Sequence, residues 1–188
     1  MDELALARHG ESEHSARALV GGDTPLTPRG REQARALGAR VRDLAVGACV
    51  TSGARRARET AALALDGRDV PIDVDPDLGD IRFGVFEGRP LDEYRSWVES
   101  HRPDIAPDGG ESRAETLLRF ARAFRAVLGR PEQCILVVAH GLTLRSVLDP
   151  APRPVVVGAP YGGCVRLDRR ELLDAVERLE AWCEQPAW

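Results

Sequence analysis

Arg8, His9 and Gly10 stand directly after the apolar run Leu4-Ala5-Leu6-Ala7. Far downstream, His140 and Gly141 follow Ile135-Leu136-Val137-Val138-Ala139 in the same manner. A guanidinium and two imidazoles gathered in one place suit an anion, because arginine offers a planar fork of donors matched to phosphate or carboxylate oxygens. A neutral imidazole can also attack phosphorus, splitting one difficult displacement into two through a phosphohistidine. Its other nitrogen then needs an acceptor, such as a backbone carbonyl, to fix the tautomer. One histidine after a strand is more commonly a capping or hydrogen-bonding residue. The case therefore rests on the pair and on what lies between.

The elements that must position these residues read as an α/β chain. Short apolar runs of this kind are buried strands, and in open α/β sheets ligands sit beyond the carboxyl ends of the strands. Thr27-Pro28 predicts a helix start, followed by Ala34, Leu37, Val41 and Leu44 at helical spacing, with Gly38 marking close packing. A second strand over Ala48–Thr51 leads through Ser52-Gly53 into a helix bearing Ala57, Ala61, Ala64 and Leu65, ending around Gly67. Arg56 lies in its first turn, where the helix dipole disfavours a cation. It reads either as a ligand for an anion at the helix start or as a solvated arginine like its neighbours Arg55 and Arg58.

Val70–Val74 predicts an edge strand, since Pro71 argues against a central place. Residues 75–107 lose clean periodicity, and a stretch of that length predicts a partly helical excursion forming one wall of a site. It holds a short helix from Leu91 to Val98, whose Tyr94 and Trp97 read as local core. Ser112 and Glu115 form a capping box before a helix carrying Leu117, Phe120, Phe124, Val127 and Leu128, which Gly129-Arg130-Pro131 stops. A short helix with Leu144, Val147 and Leu148 follows His140. Val155-Val156-Val157 predicts weak strand pairing and Tyr161-Gly162-Gly163 a turn. Cys164–Leu167 is a strand and Glu171–Cys183 a final amphipathic helix. Alternating strands and helices imply a three-layer α/β/α arrangement around a mostly parallel sheet, one domain over residues 1–188. His14, in the turn-rich stretch after Gly10, reads as exposed and incidental.

At 188 residues the chain is long enough to bury a core. Its net charge of −4, without a basic tail or stripe, argues against nucleic acid as a partner. No apolar run approaches membrane-spanning length, and the acidic start Met1-Asp2-Glu3 fits no signal peptide. Cys49, Cys134, Cys164 and Cys183 are widely spaced, as expected of reduced thiols in a cytoplasmic protein. All 26 basic residues are arginines, so an arginine near a motif argues only through its register.

A general acid must protonate a leaving alkoxide, and a carboxylic acid close to a dianionic phosphate has reason to keep its proton. Asp80, Glu87, Glu11 and Glu111 are the candidates. No ligand pattern for a metal and no nucleotide-binding glycine motif is present, so no cofactor is expected.

Several motifs together resemble the histidine phosphatase superfamily, in its phosphoglycerate-mutase-like branch. Arg8-His9-Gly10-Glu11-Ser12 is similar to RHGE[TS], and Leu26-Thr27-Pro28-Arg29-Gly30 through Ala34 to LTxxGxxQA. Ser52 through Ala61 fits S-x-x-x-R-A-x-x-T-A and selects Arg56. FGxxEG lies at Phe83–Gly88, GGES at Gly109–Ser112 and VxHG at Val138–Gly141. The resemblance runs from Leu4 to about Leu167. It implies His9 as phosphorylated nucleophile, with Arg8, Arg56 and His140 holding the phosphoryl oxygens. It places the acid in a Leu-x-Glu pattern that here reads Leu78-Gly79-Asp80, making Asp80 the proton donor. Aspartate sets the carboxyl back by one methylene, roughly 1.5 Å along an extended chain. Ser15 stands where the family usually has asparagine, and Phe86 where it has tryptophan. Ser15, Gly141, Glu87 and Glu11 are expected to contact substrate around that centre.

The expected function is metal-independent hydrolysis of a small soluble phosphate ester, as in short family members such as α-ribazole phosphatases, by a monomer or homodimer. A phosphoglycerate mutase and an inert phospholigand-binding protein are the alternatives. A phosphatase acting on phosphohistidine proteins fits less well, because such family members are shorter.

Overall fold

The structure, a computed structural model, describes residues 1–149, 151–154 and 159–188. Its centre is a sheet of β1 (Glu3–Arg8), β2 (Val46–Thr51), β3 (Ile72–Val74), β4 (Cys134–Ala139) and β5 (Cys164–Asp168), in the order β3-β2-β4-β1-β5. The first four strands run parallel and β5 pairs antiparallel with β1. β4 and the interior of β1, Leu4–Ala7, are apolar because helices cover both faces of the sheet.

Among the described residues there are seven α-helices: α1 (Glu13–Ala16), α2 (Pro28–Arg40), α3 (Arg55–Ala64), α4 (Leu91–Glu99), α5 (Arg113–Leu128), α6 (Gly141–Leu148) and α7 (Arg169–Glu184). On one face, Ala5 and Ala7 of β1 meet Leu37 of α2 and Ala57, Ala61 and Ala64 of α3. Small side chains on both sides let these layers approach closely. On the other face, Leu4, Leu6, Ile135 and Val137 pack against Phe120 and Phe124 of α5, Leu144 of α6 and Leu172 and Val176 of α7. Both phenylalanines are fully buried, each stabilising the fold by about 3 kcal/mol. Thr27 caps α2 through Gly30 N–H, and the Ser112–Glu115 capping box opens α5.

The chain leaves β1 toward the face carrying α2 and leaves neighbouring β4 toward the face carrying α6. Adjacent strands whose connections diverge to opposite faces open a crevice at their carboxyl ends. The excursion lies at this end with a small core of Ile81, Phe83, Phe86, Tyr94 and Val98, joined by Val20 from the segment after α1.

β3 is an edge strand, though shorter than Val70–Val74. α2 ends at Arg40, so Leu44 packs from beyond the helix. His14 departs from expectation: it belongs to α1, is half-buried and lies against Gly22. The predicted pairing of Val155-Val156-Val157 falls outside the described residues. No described helix is long and apolar enough to cross a membrane, and the four cysteines are free.

Candidate active site

Register alone brings the two histidines together. Arg8 is the partner of Ala139 across β1 and β4, so the next residue on each strand is His9 and His140. Thr51 pairs with Val138 across β2 and β4, which sets Ser52 at the same edge. The imidazole centroids of His9 and His140 are 5.2 Å apart, and both side chains are buried.

His9 Nδ1 lies 2.6 Å from the Gly10 carbonyl. A carbonyl only accepts, so Nδ1 carries the proton and Nε2 presents a lone pair. Arg56 Nε donates to that nitrogen at 3.2 Å. Burial, followed by the electrostatic influence of His140 and Arg56, holds the His9 pKa well below the ordinary imidazole range. The turn that carries this carbonyl is fixed from two sides. Gly10 N–H donates to Thr60 Oγ1 at 3.0 Å, and a Cβ on Gly10 would lie 2.4 Å from the Gly30 carbonyl oxygen. Only glycine lets β1 exit this close to α2.

Arg56 joins the groups of the site. Beyond His9, its guanidinium donates to the Gly22 carbonyl at 2.7 Å, reaches His140 Nδ1 at 3.2 Å and meets Asp80 Oδ2 at 3.4 Å. His140 Nε2 is 2.8 Å from Ser52 Oγ. Burial, then Arg56 and Arg8, keep His140 neutral by lowering its pKa well below the usual range. A serine hydroxyl can donate or accept, so the Ser52–His140 pair accommodates either tautomer.

Arg8 donates to the Ala159 carbonyl, and its guanidinium lies 3.7 Å over the centre of the Tyr161 ring. Its buried Nε has no partner among the described residues. A Cβ on Gly141 would come within 3.3 Å of the Arg8 guanidinium carbon, so glycine at the start of α6 leaves that charge its room.

Asp80 reaches the centre despite its shorter side chain. Its Oδ2 is 3.5 Å from His140 Nδ1 as well as 3.4 Å from Arg56. Arg119 holds this loop, donating to the carbonyls of Asp77, Gly79 and Asp80 at 2.7, 2.9 and 3.2 Å. Arg119 is in turn gripped by buried Glu111 through two hydrogen bonds of 3.0 and 2.8 Å.

Arg8, His9, Arg56 and Asp80 thus line one space, Gly141 borders it, and fully buried His140 backs it through its contacts with Arg56 and Asp80. Ser15 lines a lobe of the cavity, but its hydroxyl is occupied by Ser12, donating to the carbonyl at 2.9 Å and accepting from the N–H at 2.7 Å. Glu11 accepts from Thr27 Oγ1 at 2.9 Å, and Glu87 accepts from Gly22 N–H at 3.1 Å. These two carboxylates tie loops together and are absent from the cavity wall, contrary to the expectation of substrate contact. Glu111 is likewise committed to Arg119. Sequence reasoning missed Tyr161 as the platform under Arg8, and the roles of Ser52 and Thr60. Both of the latter are fixed letters of the Ser52–Ala61 motif, a signal that was available. Tyr161 had none beyond its turn.

The sequence pattern of the Histidine phosphatase superfamily (branch 1) covers residues 4–152. A "Probable phosphoglycerate mutase GpmB" from Erwinia tasmaniensis is 36% identical over 181 residues, spanning 90% of this chain and 81% of that protein. "Fructose-2,6-bisphosphatase TIGAR B" from Danio rerio is 30% identical over 170 residues, 85% of this chain and 64% of that one. Among solved structures, the α-ribazole phosphatase from Shigella flexneri superposes with a TM-score of 0.77 at 29% identity, covering 88% of this chain and 90% of that one. Bacillus stearothermophilus YhfR gives 0.75 at 31% identity, with 87% and 89% covered. The chain belongs to the histidine phosphatase superfamily, branch 1.

Proposed function

We propose that this chain is a phosphomonoesterase that hydrolyses a small phosphate ester, without need of a metal, through a phosphohistidine at His9. The observation that carries the reading is the His9 Nδ1 bond to the Gly10 carbonyl at 2.6 Å, which leaves Nε2 as a lone pair inside a cluster of cations. An incoming phosphoryl oxygen takes over the Arg56 N–H that Nε2 now accepts. Nε2 then attacks phosphorus as the ester P–O bond breaks, and the Asp80 carboxyl gives its proton to the departing alkoxide. In the second half, Asp80 takes a proton from water as the water oxygen attacks the phosphohistidine. The P–N bond breaks, and inorganic phosphate and free His9 result. Arg8 and Arg56 balance charge on the phosphoryl oxygens during both transfers.

The test uses EDTA-treated protein and p-nitrophenyl phosphate. The expected result is turnover inhibited by vanadate, with an acid-labile phosphoenzyme that disappears together with turnover in His9→Ala. Substantial residual rate in that variant would remove His9 as nucleophile. The 36% identity to a probable phosphoglycerate mutase favours a second reading, which conversion of 3- to 2-phosphoglycerate dependent on bisphosphoglycerate would establish.

A further inference from the structure

Phosphoryl chemistry uses one end of the cleft. A cavity of about 290 Å³ begins at Arg8, His9 and Asp80 and runs on between α4 and the first turns of α5 and α6. It is at the small end of the range for ligand sites, and the alcohol part of a substrate held at His9 must lie in this cleft. Its charged lining is uneven: besides His9, Arg8, Arg95 and Arg113 face a single carboxylate, Asp80.

Arg113, the first residue of α5, is 8% exposed, yet no carboxylate among the described residues pairs with it. One N–H group reaches the Pro154 carbonyl at 3.4 Å, and the guanidinium lies beside the Tyr94 hydroxyl and 5.8 Å from the centre of the Trp188 ring. Its buried Nε has no partner among the described residues. Five donors with so few acceptors leave a buried charge undercompensated. Burial accordingly pulls the Arg113 pKa below its usual value. Across the lobe, Arg95 is held, among the described residues, only by exposed Asp92 at 3.2 Å, a contact worth under about 1 kcal/mol and easily exchanged for a ligand.

Resting on the phosphomonoesterase reading, we infer that Arg113, with Tyr94 and Arg95 beside it, binds a second anionic group on the substrate's leaving alcohol, either a carboxylate or a second phosphoryl group. The position follows from this chain's own α5, whose first residue places a fork of donors where the substrate's organic part lies.

Matched substrates test it. Glycerol 1-phosphate and 3-phosphoglycerate differ by a hydroxymethyl group against a carboxylate. Propane-1,3-diol monophosphate and bisphosphate differ by a second phosphoryl group. In the wild type, kcat/KM is expected to favour at least one anionic member by about tenfold or more, and which pair shows it names the group. Arg113→Gln should bring that ratio to within about twofold, chiefly through KM, and Arg113→Lys should restore part of it. A ratio compares substrates within one variant, so a general loss of folded protein cancels.

Binding of 3-phosphonopropionate against propylphosphonate, read by calorimetry, reports on the lobe without turnover. Wild-type ratios near one in both pairs, or a preference that survives Arg113→Gln, would overturn the inference. If the phosphonate preference depends on Arg113 but p-nitrophenyl phosphate is never hydrolysed, the phosphatase reading falls and the subsite stands.

Discussion

Asp80 has two jobs that pull in opposite directions. In the unliganded site its carboxylate lies 3.4 Å from Arg56 and 3.5 Å from His140, where it is the counter-charge of the anion site. Under the proposed mechanism the same carboxyl also carries a proton to the leaving group. Asp80→Asn separates the two. Alkyl phosphates, whose alkoxides need a proton, should slow by about a hundredfold or more. p-Nitrophenyl phosphate, whose phenolate leaves unaided, should slow much less. Inorganic phosphate should bind the variant several-fold more tightly, because a negative charge has left a cationic cavity. Equal slowing of both substrates would assign the proton to another group, and weaker phosphate binding would contradict the counter-charge role.

At the level of elements, the loop over residues 77–80 is held by a helix as well as by its own short turn, Pro76–Leu78. Arg119 of α5 donates to three of its carbonyls, and Glu111 fixes Arg119. Burial pulls the Glu111 pKa up, but the Arg119 hydrogen bonds and charge outweigh it and keep the group ionised. Arg119→Met leaves that carboxylate buried and unpaired, a loss of roughly 3–5 kcal/mol, measurable by urea denaturation. The double variant Glu111→Leu/Arg119→Met should recover most of the stability but not the alignment of Asp80. Its kcat on alkyl phosphates should stay depressed, with KM little changed. Full recovery of kcat would make the pair merely structural.

This clamp marks where sequence reading ends. β1 and β4 were legible because strands buried on both faces are unbroken apolar runs, and α5 because capping box and stripe agree. His9 and His140 are legible because each stands directly after an apolar strand, whereas Arg56 and Asp80 are singled out only by motifs of the family that the chain resembles. The loop-tying contacts of Glu11 and Glu87 have no sequence signal because their partners, Thr27 and Gly22, lie on separate segments. Arg113 carries no local signal: only tertiary packing sets it beside Tyr94 and without a carboxylate. The four-residue α1 is too short for any periodicity to announce.

For the molecule as a whole, the burial that keeps both imidazoles neutral makes the fold acid-sensitive. His9 and His140 sit at the ends of the two central strands, shielded by helices on both faces, and their pKa values are well below the ordinary value. In the unfolded chain each titrates near 6.5. As pH falls through that value, the unfolded state takes up protons that the folded state refuses, so folding stability drops. Above it, both states are neutral and the term is constant. The slope approaches about 1.4 kcal/mol per pH unit for each histidine, or about 2.7 for the pair. Carboxylates held low, such as Glu111, lose their contribution only below the ordinary carboxylate range, which keeps the two windows apart. Urea midpoints at constant ionic strength should therefore be flat from pH 8 to about 7 and fall steeply toward 5.5. His9→Gln/His140→Gln should remove most of that slope whatever its own stability at pH 8. A slope unchanged in the double variant would mean that the two imidazoles at the strand ends take up their protons in the folded state, and the neutral nucleophile would go with them.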